Sequence, residues 1–319
     1  MKKKIKRNLF NRANTRGKAK ENEMLYKRSK GEKIFFGVMF VLLAAYAFTF
    51  LYCLFFLFVN SLESSFAYTD KLTAEGNSFA FPKKLHWENY VKAFQNLGFT
   101  SGTTGERIGL GAMFFNSLWY LFFRVGGSLF ACASMAYALS KYRFRLNTPI
   151  YAAIIFSMTV PVVGTMGATF KLISDLGIYN TPFYVILTSF SGIGFNFLIL
   201  YGVFKNISWN YAEAVFVDGG NHFTVFFRIM LPQAVTPMIA LAIISAIGHW
   251  NDYMTPLLYL PDYPTVASGI YKIKLESASR GDTPSYFAGL VLSIVPVLIV
   301  YGCFSDMIMQ NFNMGGLKG

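Results

Sequence analysis

Six runs of apolar residues, each long enough to cross a bilayer, constrain this chain more than any other feature. A hydrocarbon core about 30 Å thick is crossed by about 20 helical residues. Lipid leaves no alternative to a helix, because each backbone N–H and C=O there must be satisfied inside the segment. The runs are Phe35–Val59, Phe114–Ser140, Pro149–Ile173, Pro182–Phe204, Thr236–Leu260 and Tyr286–Met309. They predict an all-α, polytopic membrane protein with six transmembrane helices. Composition agrees, with 54% hydrophobic and 14% charged residues, and the 34 Phe suit surfaces that face lipid. That balance argues against a soluble enzyme or a nucleic-acid-binding domain.

A net charge of +13 reads as a nucleic-acid signal until it is mapped. Thirteen Lys or Arg against three Glu fall between Met1 and Lys33, so residues 1–33 form a basic tail and 34–319 a membrane domain close to neutral. Basic residues stay on the cytoplasmic side. The tail and the Lys141, Arg143 and Arg145 cluster are therefore expected inside a plasma membrane, and six spans return the C-terminus there. Ser61–Met113, with five basic and five acidic residues, and Asn251–Ser285 are expected outside, and Ile207–Val235 in the cytoplasm. Tyr263–Ile270 is apolar enough to turn back towards the membrane. The tail is also suited to anionic membrane lipid.

Between the fourth and fifth runs lies Ser208–Pro232, too polar to span and too patterned for a loose loop. A first short helix is expected over Trp209–Val217, with Asn210 as its cap and Glu213 near its positive end. Gly219 and Gly220 then permit a reversal. A second helix follows over Asn221–Met230, and Pro232 is expected to restrict Leu231 and stop it.

This segment resembles the signature of permease subunits of binding-protein-dependent ABC importers: EAA, three residues, Gly, nine residues, Ile, one residue, Leu-Pro. Glu213, Ala214, Gly219, Ile229, Leu231 and Pro232 occupy signature positions, and Asp218 matches the acidic residue that commonly precedes the glycine. Val215 departs from it, where the signature has a second Ala. Trp250–Leu260, Phe81–Phe94, Leu176–Thr181 and the ending Gly315–Gly319 are similar to carbohydrate-importer permeases of the MalG type. The resemblance implies an ABC importer permease domain over 34–319 and a carbohydrate cargo of oligosaccharide size. It also implies a second, MalF-like permease, two cytoplasmic ATP-binding subunits and an extracellular sugar-binding protein as partners. Glu213 would contact the ATPase and Gly219 would make the turn.

No phosphate loop of the form G-x-x-x-x-G-K-[ST] occurs, so ATP must bind another chain. Cys53, Cys132 and Cys303 lie in apolar runs without metal or disulfide spacing, and His86, His222 and His249 are scattered and read as structural. The chain is therefore expected to be a non-catalytic transport subunit with no cofactor, no metal and no nucleic-acid partner. Polar side chains inside a span mark a pathway by default. Asn196, Trp250, Asn251 and Asp252 are the pathway candidates, each with a structural alternative: Asn196 bonding a neighbouring helix, the other three shaping a helix break before Pro256. Arg124 either snorkels or pairs with a carboxylate of a neighbouring chain. Two rivals stay open: the same family with a non-sugar cargo such as a polyamine, and an ion-driven secondary transporter.

Overall fold

In the computed structural model the described residues are 29–71, 81–101, 103–160, 164–191, 193–277 and 282–314. The basic tail up to residue 28 and the Gly315–Gly319 ending lie outside them. Two units are distinguished, divided between Phe56 and Leu57.

The first unit carries α1 (Lys30–Ser61) as far as Phe56. Its start is a reciprocal cap: the Ser29 N–H donates to Glu32 Oε2 at 2.8 Å and the Glu32 N–H to Ser29 Oγ at 3.2 Å. The join expected at residues 33 and 34 therefore falls at the end of the first turn of this helix. Side chains on every face of α1 are exposed, Phe40 by 72% and Phe48 by 67%. A helix apolar all round is suited to lipid or to another chain and not to water.

The second unit begins with the last turn of α1 and continues through α2 (Ser65–Lys71) and α3 (Glu88–Asn96). A two-stranded antiparallel ribbon follows, β1 (Gly98–Thr100) with β2 (Arg107–Gly109), in which Phe99 faces Ile108. The ribbon leads into α4 (Leu110–Lys141), the spine of the unit. Three buried clusters succeed one another along α4. At its start, Leu110 and Met113 pack with Trp250, Val266 and Ile270. In its middle, Tyr120 packs with Ile173, Tyr184, Val185 and Tyr259. Towards its end, Leu129, Ala133 and Ala136 pack with Phe197, Phe204, Ala212 and Val225.

The third, fourth and fifth expected spans are each interrupted. The third is α5 (Asn147–Thr159) and α6 (Met166–Asp175). Val160 leaves the helix with φ −85° and ψ 114°, as a residue before proline tends to do. The fourth is α7 (Pro182–Ser189) and α8 (Phe195–Asn206), separated by Gly194 at φ 144° and ψ −175°, backbone that only glycine takes without strain. After α9 (Asn210–Val217) and α10 (His222–Gln233), the fifth is α11 (Val235–Trp250) and α12 (Met254–Tyr259). Then come α13 (Val266–Ser277) and α14 (Thr283–Met314), which keeps Pro296 inside it.

Among the described residues three helices are long and apolar enough to cross a membrane: α1, α4 and Thr283–Ser305 within α14. The pair α10 and α11, bent by 71°, would make a fourth if counted as one span. Six uninterrupted helices are therefore not what forms, because an apolar run sets burial while proline and glycine set where the backbone breaks.

The two ends of α4 carry different structures. At Leu110 its N–H donates to Leu97 O at 3.2 Å, bringing α3 and the ribbon alongside. At the other end the Lys141 ammonium donates to the Ile207 carbonyl, and Tyr142 meets His222 of α10. With 32 residues at about 1.5 Å each, roughly 48 Å separates these ends. The Tyr263–Ile270 stretch lies along the first half of α4: Asn116 Nδ2 donates to Pro264 O at 3.2 Å and the Val266 N–H to Ser117 Oγ at 2.8 Å.

Candidate functional site

The segment at the Lys141 end of α4 is two helices joined by a glycine turn. Helix α9 starts after Trp209, and Asn210 does not cap it; the Asn210 N–H itself takes Ser208 Oγ at 3.3 Å. Asn210 already has helical backbone and sits one residue too late to serve. Glu213 lies in the first turn, as its charge favours.

The helix ends in a Schellman turn. The Gly219 N–H donates to Phe216 O at 3.1 Å and the Gly220 N–H to Val215 O at 2.8 Å, with Gly219 at φ 79°. Gly220 is needed for a different reason. A Cβ there would lie 2.4 Å from Val215 Cγ1 and 2.9 Å from Val215 O. The valine that departs from the signature is thus the residue seated on Gly220.

Helix α10 is capped by Asn221, whose Oδ1 accepts from the Thr224 N–H at 2.9 Å. It does not stop at Met230. Val225–Met230 forms a π-helical stretch in which the Leu231 N–H reaches back to Phe226 O, and Leu231–Gln233 continues in helical backbone. Pro232 is accommodated because proline clashes with the carbonyl four residues earlier, and the wider π turn moves that carbonyl aside. The stop comes at Ala234, where the chain bends into α11.

Glu213, Ala214, Asp218, Gly219 and Pro232 are exposed, whereas Ile229 and Leu231 are half-buried. Val217 and Phe223 stand out beside the acids, 87% and 74% exposed. What anchors the segment lies between the signature positions: Ala212, Val225, Phe226 and Met230 are buried against α4 and α8. Their helical spacing is a visible signal. The second anchor is invisible locally. His222 Nδ1 meets Tyr142 Oη at 2.9 Å, and Tyr142 Oη meets Tyr137 Oη at 2.9 Å, 80 and 5 residues apart in the chain. Trp209 and Phe216 close around this chain of hydroxyls edge-on.

The pathway candidates do not form one cluster. Asn196 Nδ2 donates to Ser245 Oγ at 3.1 Å, joining α8 to α11. Trp250 is buried and its indole N–H donates to Ser293 O of α14 at 3.0 Å. Asp252 takes the Tyr120 hydroxyl at 3.1 Å on one oxygen and the Thr255 N–H at 3.0 Å on the other, which opens α12. Asn251 is exposed and bonds only within its own helix, to Ile247 O at 2.8 Å. Arg124 meets no carboxylate among the described residues. Its guanidinium lies over the rings of Tyr120 and Tyr184, 5.5 and 5.7 Å from their centres, and its Nε is buried without a hydrogen-bond partner.

Comparison with known proteins gives the chain its relatives. The chain is 26% identical over 260 residues to the diacetylchitobiose uptake system permease protein NgcG of Streptomyces coelicolor, covering 81% of this chain and 82% of that one. It is 30% identical over 207 residues to the polygalacturonan/rhamnogalacturonan transport system permease protein YtcP of Bacillus subtilis, covering 60% of this chain and 71% of that one. In fold it is similar to a chain of a bacterial ABC transporter involved in the import of the acidic polysaccharide alginate. The TM-score is 0.69 at 24% identity, over 88% of this chain and 99% of that one. The model of the binding-protein-dependent transport system inner membrane components matches residues 127–313, more than half of the chain, so the protein belongs to that family of membrane transport permeases.

Proposed function

We propose that this chain forms half of the membrane pathway of an ATP-driven carbohydrate importer, with an oligosaccharide as cargo. The observation that carries the reading is the segment Glu213–Pro232. It folds into two helices locked by a Schellman turn, holds its acids outward and is anchored on α4 by buried apolar side chains. A rigid knob of that kind can transmit a push from a partner to the membrane helices. The names of the relatives, which concern diacetylchitobiose and polygalacturonan, support the cargo class.

In this reading the knob seats on one of two cytoplasmic ATPase subunits, Glu213 and Asp218 fix its register, and a second permease completes the pathway. An extracellular binding protein delivers the sugar. Both termini and Ser208–Pro232 are cytoplasmic, and the Ser61–Met113 segment is outside. ATP-driven closure of the ATPases turns the cavity outward; hydrolysis resets it. Asn251, exposed at the break between α11 and α12, is the candidate best placed to meet sugar.

The test is purification from gently solubilised membranes and identification of co-purifying chains, with and without Glu213→Ala. A second permease and an ATPase, the latter released by the substitution, are the expected result. A chain that purifies alone, or that takes up sugar without any ATPase and stops when the ion gradient collapses, would replace this reading with an ion-driven transporter.

A further inference from the structure

Helix α3 lies at the opposite end of α4 from the proposed coupling segment and carries an exposed apolar face besides the buried face that packs it. Its inner face, Asn89 and Ala93, is buried, and the Asn89 amide donates to Ser61 O at 2.9 Å and Glu63 O at 2.7 Å. Its outer face is Trp87, Val91 and Phe94, which recur at helical spacing and are exposed by 57%, 56% and 53%. Leu85, 52% exposed, extends the patch.

Three contacts fix the depth of this helix. Trp87 meets Phe58 edge-on at 6.4 Å, one turn before α1 ends at Ser61. Phe94 lies against Gly111 at the start of α4, where an added Cβ would be 3.5 Å from its ring. Leu97 presses on Gly289 in the second turn of α14, 2.4 Å from where a Cβ would stand. The helix is thus level with one end of each of the three long apolar helices, the depth of the bilayer's headgroup boundary. Lys83, Lys84 and Lys92 surround the apolar patch, all exposed, and Glu88 is the acid among them, 4.0 Å from Lys92. Tryptophan and phenylalanine beside lysine at this depth is the pattern of an interfacial amphipathic segment.

We infer that Phe81–Phe94 is a lipid-binding belt: Trp87, Val91 and Phe94 enter the acyl boundary of the leaflet at this end, and Lys83, Lys84 and Lys92 take the phosphates of anionic phospholipid. Continuity with the apolar surface of the long helices and the surplus of lysines select lipid over a binding protein, which would meet this face across water. The inference needs only that the chain spans a membrane, not that its cargo is a sugar.

The experiment uses the full chain, with any subunits it retains, in nanodiscs of phosphatidylcholine with or without phosphatidylglycerol. Subtracting the fluorescence of Trp87→Phe isolates Trp87. Phospholipid brominated near the carbonyl should quench that difference more than phospholipid brominated near the chain end, and aqueous iodide should leave it. Lys83→Gln with Lys84→Gln should lower the enrichment of phosphatidylglycerol over phosphatidylcholine on the purified protein by at least about fivefold. Quenching by iodide would mean a water-facing surface, and quenching by neither agent would mean that a protein partner covers it; each overturns the inference. Unchanged enrichment in the lysine variant would overturn the anionic part.

Discussion

Gly219 and Gly220 are neighbours in one turn, yet their replacement by alanine should fail for different physical reasons and to different extents. At Gly219 nothing lies within 4 Å of an added Cβ, so Gly219→Ala meets only the strain of φ 79°, about 1–2 kcal/mol. Gly220→Ala meets Val215 Cγ1 at 2.4 Å and Val215 O at 2.9 Å. Neither yields freely: the β-branched Val215 side chain is stiff in a helix, and its carbonyl accepts the Gly220 N–H that closes the turn. Overpacking of this kind costs about 2–3 kcal/mol. If docking requires the closed turn, affinity for the ATPase falls with the population of that turn. The upper bounds are then about 5–30-fold for Gly219→Ala and about 30–150-fold for Gly220→Ala. Val215→Ala, which restores the signature residue, removes the methyl contact and should recover at least about fivefold in the Gly220→Ala background. Titrating the co-purified ATPase onto reconstituted permease measures the parent, the three single variants and the Val215→Ala/Gly220→Ala double variant. Gly220→Ala binding as tightly as the parent, or strictly additive effects of Val215→Ala and Gly220→Ala, would refute the reasoning.

Tyr142→Phe removes both hydrogen bonds that tie His222 to α4, and hydrogen exchange over residues 221–233 should rise by about tenfold; unchanged protection would show that the buried apolar anchors suffice. Asn196→Ala leaves Ser245 without its partner and should lower stability by about 1 kcal/mol, read as a lower melting midpoint; normal melting with lost uptake would return Asn196 to the pathway. Burial pushes the Asp262 carboxyl up, but donors on Ser101, Asn180 and Thr103 outweigh it and hold the group below its usual range. A carboxylate depressed in the folded state contributes stability above its unfolded pKa and loses it as pH falls through the folded value. Protection of the 176–181 and 261–265 segments should therefore drop below about pH 4, and Asp262→Asn should remove that dependence; an unaltered acid profile in the variant would assign the effect to other groups.

Legibility followed the range of the physics involved. The long helices at Lys30–Ser61, Leu110–Lys141 and Thr283–Met314 could be read from apolar runs, because length and composition alone decide them. The glycine turn at Gly219 was equally local. A break before Pro256 was one reading of Trp250, Asn251 and Asp252, but the break at Gly194 was not legible, since glycine is tolerated inside a membrane helix. Pro232 misled for the opposite reason: its local preference was overridden by the π-helical stretch that packs Phe226 and Met230. Long-range partners were beyond reach altogether. Asn196, Trp250 and Asp252 could be marked as costly in a membrane, but Ser245, Ser293 and Tyr120 lie 49, 43 and 132 residues away in the chain.

The interruptions also say what must cover them. Non-helical backbone at membrane depth is tolerated only where protein buries it or water fills a cavity beside it. Phe190 and Ile193 between α7 and α8 are exposed on this chain, and so is Asn251 between α11 and α12. Lipid cannot satisfy the backbone groups of these breaks, whereas it suits the continuous helix α1 on every face. In the proposed importer, the surface that presents the breaks is the one a second permease would close or the substrate pathway would open on. Hydrogen bonds hold Asn196, Trp250 and Asp252 in place, so in the proposed importer these residues would act on transport by keeping the backbone of the breaks in shape, and Asn251 would be left to meet what passes.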